Sequence, residues 1–84
     1  MDKYIFSVFD SKSRVFGTPF TSINKFTAIR DFNTAANDLD INIGKYPEDY
    51  TLYELASFDD ESGMIAPHPQ AVNLGSAIQF KQEA

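Results

Sequence analysis

The sequence predicts a small α+β domain of order β-β-α-β-β with a short C-terminal helix, and three observations predict it. Tyr4 to Phe9 and Tyr50 to Phe58 are aromatic and β-branched runs patterned at period two. Ser22 to Asp38 carries one wide apolar stripe at helical spacing. Clusters of Asp, Ser, Asn, Gly and Pro fall between these runs, where turns are needed. A chain of 84 residues holding these elements makes one domain, 1–84, with one long helix packed on a small antiparallel sheet.

Lys3 to Asp10 reads as the first strand. Tyr4, Phe6 and Val8 share one face and Ile5 and Phe9 the other, so both faces are partly apolar. Asp10-Ser11-Lys12-Ser13 turns the chain, and Arg14 to Phe16 returns as a short second strand before Gly17 and Pro19 interrupt it. Pro19 has no amide hydrogen for a ladder, so this strand is an edge or very short. The helix from Ser22 to Asp38 takes Ser22 or Asn24 as its cap. It buries Phe26, Ile29, Phe32 and Ala36 with Ala28 and Ala35, and turns Lys25, Arg30, Asp31 and Asn33 to water. Asn37-Asp38 and Gly44 supply stop signals, leaving Asp38 to Lys45 as a loop.

Pro47 fixes its own φ and pushes Tyr46 toward extended geometry, and Asp49 completes the turn. In the strand from Tyr50 to Phe58, Leu52, Ala56 and Phe58 alternate with Tyr53 and Leu55, so neither face is purely polar. Asp59 to Gly63 forms a polar turn with Gly63 free to take positive φ, and Met64 to Ala66 is the return strand. Pro67-His68-Pro69 reads as a stiff extended connector to a short helix, with Asn73 as cap and Leu74 and Ile78 four residues apart. One helix covers one face of such a sheet. The C-terminal segment or another molecule must close the other, which predicts a homodimer.

Composition narrows the function classes. The eight Phe and four Tyr supply large area for a limited core, and the absence of Cys excludes disulfides and thiolate metal sites. The first apolar run ends at Asp10, too short for a signal-peptide core or a membrane span, so a soluble intracellular protein is expected. A net charge of −5 argues against a protein that binds duplex DNA mainly by neutralising phosphates. The charge is uneven: residues 1–36 carry five cations against three acids, and residues 37–84 carry two against nine.

Asp38, Asp40, Asn42, Gly44 and Asp49 superficially match a calcium loop, but Ile43 stands where the sharp turn requires Gly, so a solvated helix-exit loop is expected. His68 is the only histidine, and no sequence cue gives it a catalytic or metal partner. There is no Gly-rich phosphate loop, nucleophile elbow or metal-ligand spacing, so neither an enzyme nor a cofactor is expected. Two features invite macromolecular contact. The acidic turn Asp59, Asp60 and Glu61 is the candidate protein-contact site. The cations Lys12, Arg14, Lys25 and Arg30, interleaved with aromatics, are the candidate contacts for single-stranded nucleic acid.

Several blocks in order carry a family resemblance: Phe9-Asp10-Ser11-Lys12, Pro19-Phe20, Ala28-Ile29-Arg30-Asp31-Phe32, Tyr46-Pro47-Glu48-Asp49-Tyr50-Thr51-Leu52-Tyr53, Phe58-Asp59-Asp60-Glu61-Ser62-Gly63 and Leu74-Gly75-Ser76-Ala77. From Lys3 to Phe80 the chain resembles the small non-structural protein of gokushoviruses, single-stranded DNA phages of the microvirus group. Ala56 departs from the Gly frequent in that family, and Asp40 to Ile43 is less typical. The resemblance implies a protein made in the cytoplasm of the infected bacterium and left out of the virion. That family is labelled DNA-binding or likened to the factor that shifts replication toward single-strand synthesis and packaging, and it has no catalytic residues to carry across. The expectation is a non-enzymatic accessory factor in genome replication or packaging. It would act mainly by contacts with a phage or host replication or packaging protein, with direct single-stranded DNA binding as the alternative and no membrane partner.

Overall fold

Strand β1 (Asp2–Asp10) runs through the middle of the sheet and is paired on both edges. The computed structural model describes residues 1–81. On one edge β1 pairs antiparallel with β2 (Val15–Phe16) near its end and with β3 (Phe20–Ser22) nearer its start. On the other it pairs antiparallel with β4 (Tyr50–Asp59), and β5 (Ile65–Ser76) completes the five-stranded sheet. Strands β3 and β4 both oppose β1, so they run parallel to each other and flank it. Parallel strands need a long crossover, and helix α1 (Lys25–Ala36) supplies it. A one-turn helix α2 (Asn42–Lys45) and 3₁₀ turns at Pro47–Asp49 and Ala77–Phe80 complete the order. This is the small α+β architecture the sequence predicts, with the C-terminal helix reduced to a 3₁₀ turn.

The core forms where α1 and the terminal turn lie on one face of the sheet. Phe6, Leu52, Ala28, Ala36 and Ala77 are fully buried, and Phe32 nearly so. Ala28, Phe32 and Ala36 recur every four residues, and the small alanines let the helix approach the rings and branched chains beneath it. Tyr4, Val8, Ile29, Ile43, Tyr50, Leu74 and Phe80 pack around this centre. Phe32 meets Phe80 edge-on, with centroids 5.9 Å apart.

Asn24, one of the two expected caps, starts the helix. Its Oδ1 accepts the Thr27 amide at 3.0 Å, and the Thr27 hydroxyl donates to the Asn24 carbonyl at 2.8 Å. Ser22 belongs to β3 instead, and its hydroxyl pairs with that of Thr27. Ala28, Phe32 and Ala36 set the face that α1 turns to the sheet, and Phe26, two residues and so about 160° around the helix from Ala28, is 69% exposed rather than in the core.

Four further departures have physical causes. β2 ends at Phe16, but Pro19 does not end the pairing: it lies in the gap between two short ladders, and Phe20 resumes with its ring stacked 5.8 Å from Phe6. The Asp38 to Lys45 segment folds into α2, and Gly44 sits inside it because a Cβ there would lie 1.9 Å from the Asp38 carbonyl oxygen. Pro67-His68-Pro69 lies within β5, not between elements. Pro67 opposes Ala56 and Val72 opposes Glu54, so His68 to Ala71 bulge out and Pro69 owes the ladder no hydrogen bond. Asn73 is likewise in β5, where its side chain accepts the Gly75 amide at 2.8 Å; Ser76 caps the final turn instead.

Candidate binding surface

Cross-strand partners point to the same side of a sheet. Phe6, opposite Glu54, and Val8, opposite Leu52, face α1. Their neighbours Lys3, Ile5, Ser7 and Phe9 therefore face away, as do the partners Phe58, Ala56, Tyr53 and Thr51. Strand β2 adds Phe16 opposite Phe9, and β5 adds Ile65 opposite Phe58. None of these apolar residues belongs to the core beneath α1.

Three rings cluster at one end of this open face. Phe9 and Phe16 have centroids 4.9 Å apart, and Tyr53 lies 6.4 Å from Phe9 and 5.6 Å from Phe16, edge-on to both. Phe16 is 47% exposed and, at the other end of the face, Ile65 is 56% exposed. Between them Ser7 is fully buried, and its hydroxyl is satisfied by donating to the Gly17 carbonyl at 2.7 Å. The expectation that another molecule or the C-terminal segment must cover this face resolves in part: the C-terminal turn packs on the α1 side.

Two turns bound the face. Beyond the ring cluster, the β1–β2 turn carries Lys12 and Arg14, and neither makes an ion pair among the described residues. Arg14 takes φ 62°, and its amide donates to the Asp10 carbonyl at 2.7 Å. Asp10 Oδ1 accepts the Lys12 amide at 2.9 Å. Burial works to raise the Asp10 pKa, but hydrogen bonds from Lys12, Ser13 and Tyr50 outweigh it and hold the carboxyl below its ordinary value. Tyr50 is raised, first by burial and then by the charges of Asp10 and Asp49.

At the opposite end lies the acidic turn. Asp59 Oδ1 accepts the Glu61 amide at 2.9 Å and Oδ2 the Ser62 hydroxyl at 3.0 Å; the first of these bonds does most to lower its pKa. Gly63 takes φ 77° to close the turn. Asp60 lies 3.1 Å from the Met1 amine and 3.8 Å from Lys3 Nζ. Asp59 thus shapes the turn, Asp60 is neutralised by neighbours, and Glu61 presents the most exposed acid of the three.

The four candidate cations do not gather on one surface. Lys12 and Arg14 share a turn, whereas Lys25 and Arg30 lie in α1, in the other layer. Lys25 Nζ stands 5.4 Å from the Phe26 ring centroid, and Arg30 pairs with Asp31 at 3.5 Å.

Sequence reasoning missed one contact. His68 Nε2 lies 2.8 Å from Glu54 Oε2, both largely shielded, because the β5 bulge folds the histidine over the neighbouring strand. No local pattern joins residues fourteen apart; only the register of β4 and β5 brings them together. Glu54 also borders a shallow cleft with Tyr4, Asn24, Lys25 and Phe26. In the segment weighed as a calcium loop, Asp38 Oδ1 instead accepts the Asp40 amide at 2.9 Å. Among the described residues no three His, Cys, Asp or Glu side chains are grouped to hold a metal ion, and no helix is long and apolar enough to cross a membrane.

The surface with the most to offer is therefore a partly exposed, ring-bearing sheet face between the turn that carries Lys12 and Arg14 and the acidic turn. No curated protein and no solved structure matches the chain. The family model described as Phage ORF5 protein matches residues 3–80, nearly the whole sequence, and the chain belongs to that family of phage proteins.

Proposed function

We propose that this phage protein is a non-structural, non-enzymatic accessory factor in genome replication or packaging of a gokushovirus-type single-stranded DNA phage. It works in the cytoplasm of the infected bacterium, outside the virion, through contacts with a phage or host replication or packaging protein. The open sheet face carries this reading: apolar rings are displayed on a broad surface, the arrangement by which proteins associate. The family match and the ordered blocks from Phe9 to Ala77 support the phage assignment.

The net charge of −5 favours protein partners over nucleic acid. Direct single-stranded DNA binding is the second reading, and the Phe9, Phe16 and Tyr53 rings beside Lys12 and Arg14 favour it, since bases stack on exposed aromatics. The separation of Lys25 and Arg30 from that face weakens it.

Affinity capture of the tagged protein from infected cells, with and without nuclease, distinguishes the two. Phage or host replication or packaging proteins retained after nuclease treatment support protein contact. Complete loss of every partner on nuclease treatment overturns it in favour of DNA tethering.

A further inference from the structure

The open face is apolar at both ends and nearly free of charge. Phe9, Phe16 and Tyr53 cluster at one end, and Ile5, Phe58 and Ile65 lie toward the other. Lys3, the one charged residue among the outward-facing residues of β1 and β4, is at the rim and lies 3.8 Å from Asp60. Covering this face would strand no unpaired charge, the usual obstacle to burying a protein surface. A single-stranded DNA track would instead need cations along it.

Strands of nine and ten residues give a face about 30 Å long and, over four strands, about 15 to 20 Å wide. Such a patch outlines about 450 to 600 Å², at or below the low end of specific interfaces, with Ser7 and Ala56 already buried at its middle. Addition of strands at the β5 edge is hindered by Pro67, Pro69 and the bulge at His68 to Ala71, so the face is the better surface for self-association.

Charge selects the orientation. A two-fold axis lying in the interface across the strands reverses their direction. It sets each copy's β1–β2 turn, where Arg14 has no ion-pair partner among the described residues, over the other's acidic turn, where Glu61 is the most exposed acid, and each ring cluster over the other's Ile5, Phe58 and Ile65. A two-fold axis along the strands would stack like charges instead. We propose that a second copy of this chain covers the open face, the two sheets packing face to face with their strands antiparallel across the interface.

The test is sedimentation equilibrium of the full chain at low salt, from about one to one hundred micromolar, with circular dichroism to confirm folding. The wild type is expected to dimerise. Phe16→Asp, at an exposed position in the ring cluster, is expected to weaken the dimer at least about tenfold, because it sets an unpaired charge against the partner's apolar side chains. The pair Lys12→Glu with Arg14→Glu weakens it, as does the pair Asp60→Lys with Glu61→Lys, and a chain carrying all four substitutions regains it. A monomeric wild type, or a dimer indifferent to Phe16→Asp, overturns the proposal. Failure of the four-fold exchange to restore association overturns the antiparallel arrangement. A monomer that binds oligo-dT in a manner abolished by Phe16→Asp would assign the face to single-stranded DNA and likewise overturn it.

Discussion

The Phe9 and Phe16 rings stand 4.9 Å apart on the sheet face turned away from α1. Phe6, three residues before Phe9 on the same strand, is fully buried beneath the helix. The two sides of β1 thus differ: one packs in the core beneath α1, and the other carries its rings outside that core.

That division sets the cost of losing an aromatic. Phe32→Ala empties a buried site against Phe80 and should destabilise by about 3 to 5 kcal/mol, much of the stability of a chain this size. Phe16→Ala loses two exposed ring contacts and should cost about 1 kcal/mol in the monomer. Urea unfolding of dilute protein measures both. Equal losses would mean that the open face is part of the monomer core.

Gly44→Ala should destabilise by about 1 to 3 kcal/mol, because the added methyl would meet the Asp38 carbonyl and force the backbone of α2 to move. The clash is with backbone, so no side-chain rotation relieves it. A thermal midpoint equal to wild type would show that the α1–α2 connection has room to spare.

Lys81 donates to the carbonyl oxygens of Ala36 at 3.3 Å and Gly44 at 3.0 Å, tying the terminal segment to the ends of both helices. Asn37 reinforces the tie by donating to the Phe80 carbonyl at 3.0 Å. Lys81→Met keeps the apolar stem and removes the donors, and should cost about 1 to 2 kcal/mol. Hydrogen exchange should rise first in the last turn of α1. Unchanged protection there would contradict the tie.

Asp59 responds to acid in a defined direction. Its folded pKa lies below the ordinary carboxylate value, so its contribution to stability is complete above that value and fades as pH falls through the folded one. Asp59→Asn keeps an acceptor for the Glu61 amide but cannot titrate. At neutral pH the variant should be the less stable, and the difference should shrink on acidification. A difference independent of pH would assign the effect to geometry rather than charge.

Much of this was legible before the fold was known. Periods of two and four gave β1, β4 and α1, and Asp59 through Gly63 announced its turn through residues suited to local hydrogen bonds and positive φ. Asn24 could be named as a cap because its amide oxygen suits that role. The misread elements depend on partners distant in sequence. Strand β3 exists because Phe20 finds Phe6, and the length of β5 depends on β4 holding a strand that contains two prolines. Gly44 looked like a helix stop because the approach of the Asp38 carbonyl cannot be seen in sequence. At the candidate site, residue types pointed to aromatics and cations, but only the register sorted Phe9, Phe16 and Tyr53 from Phe6 and separated Lys12 and Arg14 from Lys25 and Arg30.

The antiparallel covering of the open face is tested most directly by distances between spin labels. The chain has no Cys, so single cysteines can be introduced without background labelling. With labels at Lys12→Cys, the two copies should lie at least about 30 Å apart, near the length of β1. Mixing Lys12→Cys chains with Glu61→Cys chains should bring in a distinctly shorter distance between copies. A short distance between two Lys12→Cys labels, with a long one to Glu61→Cys, would contradict the arrangement.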